Sequence, residues 1–291
     1  MIFKGSYPAL ITPFKDNKVD YTSFEKIIEW SISQGSHGLV PCGTTGESPT
    51  LNHEEHKKVI EECIRVVDKR VHTIAGTGSN STEEAIDFTL HAENAGATAA
   101  LIVTPYYNKP TQDGLFLHYE NISKVTKIPI IIYNIPGRSV IDMNNETMIK
   151  LSSLDNIVGV KDATNDLMRP LLLKKYIAKE FSLLSGEDGT SVAYLAQGGH
   201  GCISVTANVV PKICSQIQNA WQTNDIKLVQ ELNLKLVELH QALFIESSPG
   251  PVKYAASLLN LCEQDTRLPL APIKNSTKIK VKEAMMNAGI I

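Results

Sequence analysis

Cysteine is scarce in this chain. Five are scattered over 291 residues, Cys42, Cys63, Cys202, Cys214 and Cys262. None stands in a CxxC pair, and an odd count excludes a complete disulfide framework, so a reducing cytoplasm is the expected location. Long apolar runs are missing as well. No uninterrupted apolar stretch reaches the length that spans a bilayer, and the segment Met1-Ile-Phe-Lys-Gly-Ser-Tyr-Pro8 has no signal-peptide core, so no membrane association is expected. Neither sign of charge dominates: 28 basic residues face 31 acidic ones, for a net charge of -3. With no basic stripe or block of like charge, nucleic acid is not an expected partner. No GxGxxG follows the first strand candidate, which counts against an open dinucleotide-binding sheet.

What is present is an alternation. Short runs rich in β-branched residues predict strands over 7–12, 38–42, 72–76, 99–104, 129–134, 157–161, 182–186 and 202–206. Amphipathic stretches between them predict helices over 21–34, 53–68, 82–95, 114–126, 144–153, 166–179, 189–197 and 211–221. Eight strands alternating with helices, in a chain of this length, predict a (β/α)8 barrel, the TIM-barrel class of α/β fold. Beyond Trp221 the pattern becomes helical only, with helices expected over 225–244, 252–260 and 277–288. The chain is therefore divided into a catalytic barrel over 1–223 and a small C-terminal helical domain over 224–291.

Barrel active sites lie at the C-terminal ends of the strands, and the unusual residues of this chain collect there. Lys161 ends the apolar run Ile157-Val-Gly-Val-Lys161. Lysine is among the residues least often buried. Desolvation disfavours its ammonium, and a neutral amine attacks carbonyls to form Schiff bases. Taken alone, Lys161 reads more readily as a strand-end lysine whose charge reaches solvent along its methylene stem. Its surroundings weigh against that. Gly43-Thr-Thr-Gly-Glu47 follows the second strand with hydroxyls and backbone N–H groups suited to a carboxylate. It lacks a P-loop lysine, so nucleotide binding is not expected. Tyr133 ends the fifth strand, and Arg138 on the next turn can fork a carboxylate. Such a rim suits amine catalysis on a keto acid. His37, His72 and His200 show no ligand spacing, so no metal is expected. His53 and His56, three positions apart on a helix, first fit a solvated helical turn.

The motifs GTTGES, TPYYNKP, YNIPGR, VKDAT and GGHGCISVTAN, in this order and spacing, resemble the 4-hydroxy-tetrahydrodipicolinate (dihydrodipicolinate) synthase family. The resemblance runs from Gly5 to the C-terminus. It implies condensation of pyruvate with L-aspartate 4-semialdehyde to 4-hydroxy-tetrahydrodipicolinate, a step of lysine and diaminopimelate biosynthesis, with no cofactor. It implies that Lys161 forms the Schiff base, that Tyr133 is the acid/base, and that Thr44 and Tyr107 complete a proton relay, Tyr107 reaching in from a neighbouring subunit of a homotetramer built as a dimer of dimers. Thr45 would hold the pyruvate carboxylate, Arg138 that of the semialdehyde, and Gly186 and Ile203 would line the pocket. L-lysine is implied as a feedback inhibitor bound by Ser48, His53, His56, Asn80, Glu84 and Tyr106, with Pro49 where many members have a small residue. The alternative within the superfamily is a lyase acting on N-acetylneuraminate or a keto-deoxy sugar acid. Arg138 favours the carboxylated aldehyde over a neutral polyol.

Overall fold

The structure, a computed structural model, describes residues 3–291. Its strands are β1 (Gly5–Pro8), β2 (Phe14–Lys15), β3 (Lys18–Val19), β4 (Gly38–Leu39), β5 (His72–Gly76), β6 (Ala99–Val103), β7 (Ile130–Asn134), β8 (Ile157–Asp162), β9 (Ser182–Ser185) and β10 (Gly201–Ser204). Eight of them form one sheet in the order β1-β10-β9-β8-β7-β6-β5-β4, and helices separate them along the chain. The fold is the expected (β/α)8 barrel.

Packing divides the chain into two compact units. One holds Phe3, Lys4 and His72–Ile203; the other holds Gly5–Val71 and Ser204–Ile291. In the first unit, β6, β7 and β8 are buried almost throughout. Their near-continuous Ile, Val, Leu and Ala content is what a parallel strand covered on both faces requires. Ile102, Ile132, Val160 and Leu183 join Tyr119 and Met148 from the surrounding helices in one core. Gly159 is needed for close approach, since a β-carbon there would lie 2.7 Å from the Ser182 carbonyl oxygen. The helices are started by side-chain caps: Ser81 accepts from the Glu84 amide, Thr111 from Gly114 and Asn144 from Thr147.

In the second unit, the helix His53–Val67 opens with a full capping box between Asn52 and Glu55. Three helices follow residue 224: Ile226–Ala242, capped by Asp225, then Gly250–Leu258, begun at a proline-bounded turn, and Asn275–Asn287.

Two expectations shift. The first strand ends at Pro8 rather than reaching residue 12. Ala9 makes only an isolated bridge to Val40, and the Ile11 amide donates to the Asn208 side chain at 3.0 Å instead of to a strand. The second strand stops at Leu39, before Cys42 turns to a φ of +55°. The hairpin β2–β3 was not anticipated; Asp16 and Asn17 between its strands both take positive φ.

Candidate active site

Lys161 and Tyr133 are brought together by strand pairing. They are register partners on β8 and β7, so both side chains leave the sheet on the same side. Lys161 is 6% exposed and Tyr133 5%. The Lys161 Nζ stands 4.0 Å from the centroid of the Tyr133 ring. The ring's negative face supports a cation in a desolvated position. Asp162, the next residue on β8, points away from this pair. Its carboxylate accepts from the Thr164 amide at 3.0 Å and hydroxyl at 2.7 Å, and burial pushes its pKa up.

Gly186 lies beside the amine. A β-carbon there would come within 3.2 Å of Lys161 Cε and 2.8 Å of Ala163 Cβ. Its amide donates to the Asp162 carbonyl at 2.7 Å, which fixes the loop after β9 to the end of β8. Ile203 is buried on β10. Arg138 sits on the four-residue helix Pro136–Ser139, with its side chain exposed. The sequence reading missed Glu187. Burial, with Asp188 next, raises the pKa of its carboxyl, while the charges of Lys161 and Arg138 pull it down. Both cations are therefore close enough to act on it electrostatically, and no local spacing in the sequence signals this.

The same unit gathers Asn80, Glu84 and Tyr106. Asn80 Nδ2 donates to the Tyr106 carbonyl at 3.2 Å. The Ser79 hydroxyl donates to the Glu84 carboxylate. Burial first, then the Glu84 charge, raises the pKa of the Tyr106 hydroxyl. Tyr107, alongside, is 88% exposed with φ at +71°.

The remaining candidates belong to the second unit. The turn holding Thr44 and Thr45 closes on itself: the Gly46 amide donates to the Gly43 carbonyl at 3.0 Å and the Glu47 amide to the Thr44 carbonyl at 3.1 Å. Thr45 is buried, Thr44 and Ser48 half-buried. His53 is exposed in the first turn of its helix, as first read, whereas His56 is buried on the face that packs inward. Among the described residues, no group of three or more His, Cys, Asp or Glu side chains is placed to hold a metal ion. None of the five cysteines is in a disulfide, and no described helix is long and apolar enough to cross a membrane.

Comparison with known proteins agrees with the motifs. The profile of the dihydrodipicolinate synthetase family matches residues 2–288. A 4-hydroxy-tetrahydrodipicolinate synthase of Rhodospirillum centenum is 57% identical over 290 residues, covering all of both chains. Among solved structures, the chloride-inhibited dihydrodipicolinate synthase of Acinetobacter baumannii, complexed with pyruvate, is 46% identical, with a TM-score of 0.96 over 99% of each chain. The enzyme of Cyanidioschyzon merolae, solved with lysine bound, is 34% identical, with a TM-score of 0.96 over 99% of each chain. This chain is a member of the dihydrodipicolinate synthetase family.

Proposed function

We infer that this chain condenses pyruvate with L-aspartate 4-semialdehyde to give 4-hydroxy-tetrahydrodipicolinate, through an imine on Lys161. The observation that carries the reading is the buried Lys161 ammonium set 4.0 Å over the Tyr133 ring on a paired strand. A buried lysine amine held beside a strand-end tyrosine is placed to attack a ketone. The Lys161 nitrogen adds to C2 of pyruvate, and loss of water gives the imine. A methyl proton leaves, the electron pair moves into the iminium, and the resulting enamine carbon attacks the aldehyde. The semialdehyde's own amine then displaces Lys161 and closes the ring. The iminium is the electron sink, so every step uses groups of the chain and the two substrates.

Family motifs assign the supporting roles. Tyr133 moves protons, with Thr44 and with Tyr107 of a neighbouring subunit. Thr45 holds the pyruvate carboxylate, Arg138 that of the semialdehyde, and Gly186 and Ile203 line the pocket. The exposure of Tyr107 fits a side chain that acts across an interface, and the active species is a cytoplasmic homotetramer. L-lysine inhibits by binding at Ser48, His53, His56, Asn80, Glu84 and Tyr106. The bound lysine of the Cyanidioschyzon merolae enzyme and the meeting of Asn80, Glu84 and Tyr106 in this chain support that reading.

Borohydride trapping tests the chemistry. With pyruvate, the wild type gains a mass adduct on Lys161, and Lys161→Ala gains none; an adduct retained by Lys161→Ala refutes the assignment. A coupled assay with both substrates, run beside N-acetylneuraminate cleavage, separates the synthase from a lyase.

A further inference from the structure

A buried pair of charges, which the chemistry above does not use, holds the turn that carries Thr44 and Thr45. Glu47 closes that turn at a φ of +54°, the left-handed region that residues with a β-carbon seldom occupy. Its Oε1 lies 2.5 Å from Lys253 Nζ, with the two side chains 1% and 0% exposed. Its Oε2 accepts the backbone N–H of Arg267 at 3.0 Å. Lys253 also donates to the Asp265 carbonyl at 2.6 Å and stands 3.9 Å over the Phe14 ring. Burial pulls the Lys253 pKa down, and the Glu47 carboxylate pulls it back up. Arg267 forks the Glu55 carboxylate at 2.6 and 2.7 Å and donates to the Thr50 carbonyl at 2.9 Å. Lys253 and Arg267 both come from the chain beyond residue 224, and both grip the segment 47–55.

Taking two charges out of water offsets most of their attraction, so such a pair is a poor device for stability alone. It is a good device for geometry, because a buried charge parted from its partner is left uncompensated. What it fixes is the turn. The Glu47 amide is bonded to the Thr44 carbonyl, and the Gly46 carbonyl accepts the Thr12 hydroxyl at 2.7 Å. The backbone on either side of Thr45 is thus anchored. A β-carbon at Gly46 would lie 3.0 Å from the Leu10 carbonyl oxygen, so the turn has little room to settle elsewhere.

We propose that Glu47 and Lys253 are positioning residues whose ion pair, with the Arg267 amide, sets the orientation of Thr44 and Thr45 toward the pyruvate carboxylate. The proposal rests on the role inferred above for Thr45. The test measures borohydride-trappable imine against pyruvate concentration in the full-length chain, with thermal unfolding followed in parallel. Glu47→Gln with Lys253→Met removes both charges together and leaves neither unpaired. Half-maximal trapping is expected at roughly tenfold to a hundredfold higher pyruvate, with cooperative unfolding retained. Thr12→Val removes only the second anchor and gives a smaller shift in the same direction; Glu47→Gln alone, which keeps an acceptor for the Arg267 amide and removes the pair's negative charge, decides the matter if the double variant does not fold. Thr45→Val is the reference. If Thr45→Val shifts saturation while the double variant, or Glu47→Gln alone in its place, stays within about twofold of wild type, the pair is structural and the proposal falls. If Thr45→Val leaves saturation unchanged, the reading of Thr45 falls and the proposal with it.

Discussion

Gly186 shows how little space surrounds the amine of Lys161. A single methyl there would press on Lys161 Cε at 3.2 Å and Ala163 Cβ at 2.8 Å, and in the proposed chemistry this amine approaches a ketone. Gly186→Ala is therefore expected to slow imine trapping about tenfold or more, since small misplacements of a reacting group cost that much. A trapping rate equal to wild type would show that the lysine has room to move aside. At this scale the burial of Lys161 was readable from its place at the end of an apolar strand together with the motifs on neighbouring strand ends, not from the lysine alone. Glu187 and Lys253 were not readable. Each owes its importance to a partner far away in sequence, Lys161 and Arg138 for the one, Glu47 for the other, and neither spacing nor composition reports such meetings.

The elements were legible in proportion to their periodicity. The strand His72–Gly76 and the helix Thr82–Ala95 lie where the pattern placed them. The first strand was overextended because residues 9–11 are apolar and 9–12 all buried, yet the Asn208 side chain rather than a strand takes the Ile11 amide. Burial and ladder membership leave the same mark on a sequence. The helix Gln112–Val125 carries a consequence of its own. Leu115, Tyr119 and Ile122 bury one face, and the Tyr119 hydroxyl donates to the Ile102 carbonyl at 2.8 Å. His118 shares that buried face, with Nδ1 2.9 Å from the Thr82 hydroxyl, and burial lowers its pKa from 6.5 to about 4. The unfolded chain then takes up a proton that the folded one refuses, so stability falls as pH drops from the unfolded value through the folded one. Between pH 6.5 and about 4 this amounts to about 3 kcal/mol at most. Denaturant unfolding across that window should show a steeper acid loss in the wild type than in His118→Gln, and identical slopes would contradict the buried neutral imidazole.

At the scale of the whole molecule, inhibition and assembly belong together, because Tyr107 is proposed to act across an interface and Tyr106, one of the proposed effector residues, is its neighbour in sequence. Purified enzyme titrated with L-lysine is expected to lose activity at roughly millimolar concentrations. Glu84→Gln, which removes the charge proposed to face the effector's ammonium, is expected to abolish the response while imine trapping persists. Activity that stays flat into roughly the tens of millimolar would remove the lysine site from this chain. Sedimentation of the wild type checks the tetramer independently. The eight-strand alternation was legible because each βα unit repeats one local pattern. The division into two packed units was not, since one of them is assembled from both ends of the chain, and no local pattern records which ends meet.

That arrangement has a consequence for synthesis. Glu47 leaves the ribosome early, but the Arg267 amide that completes its carboxylate's bonding follows 220 positions later. At usual elongation rates the interval is roughly ten to forty seconds. Throughout it, the turn that carries Thr44 and Thr45 exists as translated chain without the lysine and the arginine amide that meet Glu47. If the pair positions that turn as proposed, a nascent chain stalled before residue 253 lacks the bonded turn, and tight pyruvate capture awaits the final helices.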